Sequence, residues 1–547
     1  MHVVPIDIPE LGNRSYLIHD GHVAIVIDPS RRTKDVIDTA KKANVSIQAV
    51  FETHIHNDYV TGGYSMSQEL SVPYYVSSHE FTQFKHEPIN DAQTVTIGDL
   101  QISALPTPGH THNHLGFLVT TKDATPAFFS GGSLLYGAVG RTDLMSKDDT
   151  LDLAKAQYRT AQFLRTRLDG TTELYPTHGF GSFCAATETE CVSVSTLAQQ
   201  AKTNPVFTSP NEAAFTEELI QGLDAYPVYY AYMGSLNAAG PGEPSLEPPA
   251  RLTRAAVMSA LHTGVAVVDM RGRTDYAAQH ISGTYNIELG SDLATYVGWL
   301  IAWEVPLIVV AATPTEVGLA QEQLSLIGRE ITGGQITSRD LLFDTTAGSS
   351  YPTRTFKELA NMLPDNDLVV LDVRRRSEWQ RGHVANALHI PLHELSSRMS
   401  EVDADKTIWV HCASGFRAAI AASMLESAGK HPALINDRFT NAANAGLLAV
   451  ENQPYVDDIA HGNAQLIDVR DRAEWKAGHA IPAMHVPLGM ILEGDVSSLD
   501  KTKPMYLYCD SGERSGMAEN FLRELGFDAT NIGGLSDWVR AGGEHGQ

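Results

Sequence analysis

Six histidines and an aspartate fall in three short stretches of the first third of this chain. FETHIHNDYVTGG, residues 51–63, carries His54, His56 and Asp58. PTPGHTHNHLGF carries His110, His112 and His114, and YPTHGFGSFC carries His178. A lone histidine is usually a surface or hydrogen-bonded residue. Histidines in separate loops, each following an apolar run and flanked by Gly or Pro, point instead to a metal centre, and neutral imidazoles suit Fe(II) and Zn(II) alike. A second chemistry sits far downstream, in the loops Cys412-Ala-Ser-Gly-Phe-Arg417 and Cys509-Asp-Ser-Gly-Glu-Arg514. Each ends an apolar run, places Arg five positions after Cys and leads into a helix-like segment. A loop at a helix N-terminus aims several backbone N–H groups at one point, which favours thiolate over thiol, and the Arg adds positive charge. Such a loop can hold a persulfide on the sulfur or bind a small oxyanion. One such cysteine alone reads as a small buried hydrophobe. Two in the same register, with Gly and Arg at matching offsets, argue against that reading.

The elements that must position these groups follow from patterning. Three segments align: VVDMRGRTDYAAQHISGTYNIEL from Val267, VLDVRRRSEWQRGHVANALHIPL from Val370 and LIDVRDRAEWKAGHAIPAMHVPL from Leu466. In each, an Asp (269, 372, 468) ends an apolar run and precedes a His (280, 383, 479) by 11 residues. Each unit then offers a second apolar strand, LIVVAA, TIWVHC or MYLYC, and a helical stretch. Strands alternating with helices over about a hundred residues imply three small α/β domains. Repeat one has Ala311 at the Cys position and Glu316 at the Arg position, so thiolate chemistry is ruled out there and a structural or docking role is expected. A stretch rich in Pro, Gly and Ala, residues 235–253, reads as a linker. The expected division is 1–234, linker 235–253, then 254–345, 352–450 and 451–547.

Composition bounds the partners. The 547 residues carry 40 Lys+Arg against 65 Asp+Glu, a net charge of −25. Such a field disfavours nucleic acid and anionic membrane. No apolar run is long enough to span a bilayer, and MHVVPIDIPELGNRSYLI alternates like a strand rather than a signal peptide. Four cysteines, Cys184, Cys191, Cys412 and Cys509, are too few for a disulfide scaffold, so a cytoplasmic location is expected.

Repeats two and three resemble rhodanese domains, through the Asp-Val-Arg start, the Glu-Trp-x-x-Gly-His element, the Cys-x4-Arg loop and, in repeat three, GGLSDW. The resemblance implies sulfur transfer through a cysteine persulfide, with Cys412, Arg417, Cys509 and Arg514 as the catalytic groups. Repeat two lacks the Gly-Gly-x-x-x-Trp ending. Residues 1 to about 234 resemble the metallo-β-lactamase fold, and within it persulfide dioxygenases fused to rhodanese units, with glyoxalase II more distant. The motifs are Thr-His-x-His-x-Asp, Pro-Gly-His-Thr and Gly-Arg-Thr-Asp. The expected architecture is thus a multidomain α/β chain, an αββα sandwich followed by three rhodanese-like domains.

The resemblance implies metal ligation by His54 and His110, with His56 as a further motif histidine and Asp58 and His178 as second-metal ligands. The chain departs from the pattern twice. Tyr59 replaces a second-metal histidine, which disfavours a binuclear hydrolase. Gly132, in Gly131-Gly132-Ser133, replaces an aspartate ligand, so a first metal rests on His54, His56 and His110 and is held less firmly or not at all. Fe(II) is the expected metal, with Zn(II) the alternative. Arg141 is read as binding substrate or pairing with Asp143, and Tyr59 as a hydrogen-bond donor to substrate or a packed aromatic. The implied activity is oxidation of a low-molecular-weight persulfide, such as glutathione persulfide, coupled to sulfur transfer. A sulfurtransferase with a degenerate N-terminal scaffold, serving thiol binding or homo-oligomer formation, and a glyoxalase II-like thioester hydrolase are the alternatives.

Overall fold

A computed structural model describes residues 1–186, 194–342, 348–363, 367–449 and 453–546. Cys191 lies outside the described residues. The chain forms two compact units, Met1–Gly272 with Thr284–Ala347, and Arg273–Gly283 with Gly348–Gln547.

The first unit begins with two six-stranded sheets. Strands His2–Ile8, Asn13–His19, Val23–Ile27, Ser46–Phe51, Tyr74–Ser77 and Glu87–Ile89 lie side by side in chain order. The first three are antiparallel and the rest parallel. The second sheet runs Ser195–Thr196, Glu173–Pro176, Ala127–Gly131, Leu115–Thr120, Leu100–Pro106, Thr94–Ile97. The inner faces bury Tyr16, Ile25, Phe51, Phe117 and Phe129 between them, at roughly 1.5–3 kcal/mol per large apolar side chain. Helices Thr33–Ala43 and Gly63–Leu70 cover the outer face of the first sheet through Val36, Ala40 and Met66. Thr150–Arg167 and Glu212–Gln221 cover the second through Leu164 and Phe215. The result is an αββα sandwich. Apolar spacing explains the first of these helices, and Asn44 at φ 57° ends it in the left-handed conformation that Asn tolerates.

Residues 235–239 differ from the expected linker. They complete the helix Tyr230–Ala239, which Gly240 closes at φ 78°. Leu and Ala are strong helix formers, and Asn237 in this helix is buried. The first unit also holds a parallel sheet from repeat one, ordered Tyr285–Asn286, Ala266–Asp269, Leu307–Ala311, Gly334–Thr337. This part meets the sandwich directly: Val60 N–H donates to the Leu326 carbonyl at 2.7 Å, and Arg31 donates to the Ser325 carbonyl at 3.3 Å.

The second unit holds two more parallel sheets. One is ordered Thr353–Arg354, His431–Ile435, Thr407–His411, Leu368–Asp372, Leu388–His389. The other is ordered Met484–His485, Gln465–Asp468, Met505–Cys509, Ala529–Gly534. Register fixes the alignment of the repeats. Asp269 pairs with Val310, Asp372 with His411 and Asp468 with Tyr508, so Ala311, Cys412 and Cys509 occupy one equivalent position. The repeated Asp plays the same structural part in all three repeats. It binds the Arg two residues on, with closest distances of 2.6 Å to Arg271, 2.7 Å to Arg374 and 2.7 Å to Arg470. Among the described residues, no helix is long and apolar enough to cross a membrane.

Candidate metal centre and cysteine loops

The histidine loops follow strands drawn from both sheets of the sandwich. Ser46–Phe51 delivers His54 to Tyr59, Leu100–Pro106 delivers His110, and Glu173–Pro176 delivers His178. Asn237 pins the first loop, donating to the carbonyls of His56 and Tyr59 at 2.8 Å each and accepting from Thr61 N–H at 2.9 Å. His54, His56, His110, His114 and His178 are all buried.

Hydrogen bonds fix which imidazole nitrogen is free. Thr53 Oγ1 donates to Asp28 Oδ2 at 2.7 Å, so it accepts from His54 Nδ1 at 2.9 Å and leaves His54 Nε2 with its lone pair. His178 Nδ1 lies 3.1 Å from both Asp58 Oδ2 and Asn13 Oδ1, which leaves His178 Nε2 free. The two Nε2 atoms lie 3.4 Å apart. Lone pairs facing each other in a dry site repel, and a cation between them removes the repulsion. His110 Nδ1 donates to the Arg141 carbonyl at 2.8 Å, while its buried Nε2 has no partner. His56 Nε2 lies 3.0 Å from Glu52, 3.0 Å from Tyr59 Oη and 3.5 Å from Asp28, while its buried Nδ1 has none. A carboxylate behind a histidine is the arrangement that orients a metal ligand. These donors fit a cation.

The charges follow the same division. Burial, with His56 adding to it, takes His54 well below the usual imidazole value. Burial and then His178 bring His110 down to about 3. Burial also opposes charge on His56, but Asp28 and Glu52 outweigh it and push this group up to about 10. A cation at His56 Nδ1 would therefore displace a proton.

The cysteine loops have a different construction. Helices Phe416–Ser427 and Glu513–Glu524 start directly after Gly415 at φ 96° and Gly512 at φ 93°, a left-handed turn that favours glycine. Cys412 Sγ accepts from Gly415 N–H at 3.1 Å, and Cys509 Sγ from Gly512 N–H at 3.0 Å. Arg417 forms two bonds to Glu378 at 2.6 and 2.7 Å, and Arg514 two to Glu474 at 2.6 Å each. Each Arg is thus held by the Glu of the Glu-Trp-x-x-Gly-His element, behind which Trp379 stacks between His383 and His389, and Trp475 between His479 and His485.

The two loops are not equal. Cys509 also accepts from Ser515 Oγ at 3.4 Å, and Asn531 accepts from the same hydroxyl at 2.8 Å. Ala418 takes the place of Ser515 in repeat two. Burial opposes the Cys509 thiolate, but the Ser515 hydroxyl and backbone N–H groups of the loop outweigh it and lower the thiol below its ordinary value. Ser515→Ala is therefore expected to move the midpoint of Cys509 alkylation to higher pH. Alkylation–pH curves in a Cys412→Ala background check this, and an unmoved midpoint would remove Ser515 from the account.

Comparison with known proteins identifies these parts. A model of the metallo-β-lactamase superfamily matches residues 8–178, and a rhodanese-like domain model matches residues 355–442 and 452–541. The chain joins a metallo-β-lactamase-superfamily domain to two rhodanese-like domains. A solved metallo-β-lactamase structure from Staphylococcus aureus subsp. aureus COL is 26% identical, with TM-score 0.55, over 62% of this chain and 99% of that one. The probable polyketide biosynthesis zinc-dependent hydrolase PksB of Bacillus subtilis (strain 168) is 26% identical over 31% of this chain and 74% of its own. A cytoplasmic hydroxyacylglutathione hydrolase of Arabidopsis thaliana is 33% identical over 24% of this chain and 52% of its own. The chain thus spans between half and three-quarters of these two curated relatives. Repeat one lies outside both matches.

Within the metallo-β-lactamase-superfamily domain the histidines pair differently from expectation. The ligand atoms of His54, His56 and His178 lie within 4.8 Å of one another, and His178 also groups with His110 and Cys184. His54, His56 and His110 do not form such a group, although the His54 and His110 rings are 4.9 Å apart. Asp58, read as a second-metal ligand, turns its Oδ2 to His178 Nδ1 and Asn13 Nδ2, the latter at 2.7 Å, while its buried Oδ1 has no hydrogen-bond partner among the described residues. Tyr59 is fully buried behind His56, its hydroxyl donating to the Asp28 carbonyl at 3.2 Å. Arg141 follows its ion-pair alternative. It is buried, binds Asp143 at 2.7 and 2.8 Å, and donates to the carbonyls of Phe183 and Asp224. His112 is half exposed and faces Asp149. His114 is buried, and its Nε2 accepts from Gly132 N–H at 3.0 Å.

That last contact bears on the missing aspartate. A Cβ on Gly132 would overlap the His110 ring, and a Cβ on Gly140 would come within 2.7 Å of His110 Nδ1. The imidazole is seated between two glycines. Gly132→Asp is therefore expected to displace His110 and cost about 1–3 kcal/mol, seen as a lower Tm with no gain in metal retention. A variant that bound metal more tightly at unchanged Tm would contradict this packing. Asp28, Glu52, Asn237 and Cys184 were not singled out as site residues from sequence. Asp28 carried one usable signal, an acid directly after the apolar run VAIVI and before Pro29.

Proposed function

We propose that this protein works on sulfane sulfur. In this reading the rhodanese-like domains pass sulfur through persulfides on Cys412 and Cys509. The metallo-β-lactamase-superfamily domain oxidises a low-molecular-weight persulfide, such as glutathione persulfide, to sulfite with O₂ at a mononuclear metal. The observation that carries the reading is the pair of cysteines in one register, each accepting an N–H bond from a loop at a helix N-terminus. That environment suits a thiolate nucleophile. The Cys thiolate attacks the outer sulfur of the donor persulfide, the donor's S–S bond breaks, and the donor leaves as its thiolate. An acceptor thiolate then attacks the outer sulfur held on Cys and releases the enzyme thiolate. Tethering raises the effective concentration of the carried sulfur near the second domain.

His54, His56 and His178 would hold the cation, oriented by Thr53, Asp28, Glu52 and Asp58. Fe(II), when bound, would supply the redox chemistry with O₂; Zn(II) suits the same donors. The relatives named as hydrolases would support a hydrolase reading, but Tyr59 in place of a histidine weighs against a second metal.

The test is metal content beside turnover. About one iron per chain is expected, lost in His110→Ala because that ring borders the cation, together with O₂ uptake and sulfite formation from glutathione persulfide. Sulfur transfer without O₂ uptake would leave a sulfurtransferase alone. Hydrolysis of a glutathione thioester without either would overturn the proposal.

A further inference from the structure

The donor set of the N-terminal domain has one member that the histidine motifs do not include. The ligand atoms of His110, His178 and Cys184 lie within 4.8 Å of one another, and all three residues are fully buried. His110 Nδ1 is taken by the Arg141 carbonyl, so its unpartnered Nε2 is the nitrogen available. His178 Nδ1 is taken by Asp58 and Asn13, so its Nε2 is the nitrogen available. The backbone holds the cysteine in place from both sides. Arg141 N–H donates to the Cys184 carbonyl at 2.8 Å, and Cys184 N–H donates to Ser182 Oγ at 3.0 Å. The segment carrying Cys184 is thus tied to the segment whose carbonyl orients His110.

We infer that Cys184 is a metal ligand, the anionic donor of a site completed by His110 and His178. His110 and His178 alone would leave a divalent cation's charge uncompensated in a dry site, which is costly. Gly132 offers no carboxylate, the Asp58 carboxylate turns its Oδ2 to His178 Nδ1, and Cys184 is the member of this group that becomes anionic by losing one proton. On binding, the thiol proton leaves to solvent and the sulfur lone pair goes to the cation, with no change of oxidation state. A thiolate among imidazoles moves preference towards softer ions, Zn(II), Co(II) and Cu(I), and away from oxygen-seeking Mg(II) and Mn(II). This rests on the reading of the N-terminal domain as a metal centre and extends its donor set through the shared His178.

Cobalt distinguishes the outcomes. The full-length Cys191→Ala/Cys412→Ala/Cys509→Ala variant retains Cys184 as its only cysteine. Loaded with Co(II), it should show a near-ultraviolet thiolate-to-cobalt charge-transfer band, and binding should release a proton. Adding Cys184→Ser should abolish the band. Stoichiometric Co(II) with only ligand-field bands from nitrogen and oxygen would overturn the inference while leaving the metal centre standing. No bound Co(II) would overturn both, with sulfur transfer by the wild-type protein still to be judged separately. A band that persists in the variant carrying Cys184→Ser would also overturn it.

Discussion

Cys412→Ala/Cys509→Ala is expected to reduce sulfur transfer from thiosulfate to cyanide to the uncatalysed background, a loss of roughly three orders of magnitude or more for removing the nucleophile. The protein contains its own control for folding. Ala311 fills the equivalent position in repeat one at the end of a well-formed strand, so alanine is compatible with this site. Loss of turnover would then report chemistry rather than collapse. The single variants should differ. Cys509 has the Ser515 hydroxyl in addition to its backbone donors, so Cys509→Ala should remove more activity near neutral pH than Cys412→Ala. Full activity in the double variant would end the persulfide account.

Asp28→Ala is expected to destabilise the metal-free protein by about 3–5 kcal/mol, the scale for removing one partner of a buried ion pair. The Asp28 carboxylate is fully buried and accepts from Thr53 N–H, Thr53 Oγ1 and Thr177 Oγ1, with His56 Nε2 at 3.5 Å. Burial opposes its charge, but His56 and these donors hold it below the ordinary carboxylate value. Its stabilisation is present above about pH 4, the unfolded carboxylate value, and is lost as pH falls through the lower folded value. His56, raised to about 10, contributes fully below about pH 6.5 and loses its contribution as pH rises through 10. The gap between wild type and variant should therefore be widest between about pH 4 and 6.5. Urea unfolding across pH after chelation measures it, and a flat gap would contradict the charged pair.

Much of this arrangement was legible because the chemistry lies in short local patterns. The two cysteine loops, the Ala311 and Glu316 departures and the histidine loops are each contained in a few residues. What escaped depends on distance along the chain. Arg417 meets Glu378 across 39 residues, and His178 meets Asn13 across 165. No spacing in the sequence signals that Asp58 will meet His178 and Asn13. The His54, His56, His178 grouping was hidden for the same reason, since only the closed sandwich shows which strand ends adjoin. The helix Tyr230–Ala239 was obscured by the Pro- and Gly-rich stretch that follows it.

The two compact units are interleaved in sequence, because Arg273–Gly283 leaves the first and belongs to the second. During synthesis the first unit stays incomplete until Ala347 has left the ribosome. The 273–283 segment must wait through Thr284–Ala347 for its own partners, roughly 3–13 s at ordinary elongation rates. No single protease cut separates the two units cleanly, and a gene truncated between residues 284 and 347 strands that segment without the rest of its unit. A boundary placed after residue 272 or after residue 347 should therefore cost one unit part of its chain.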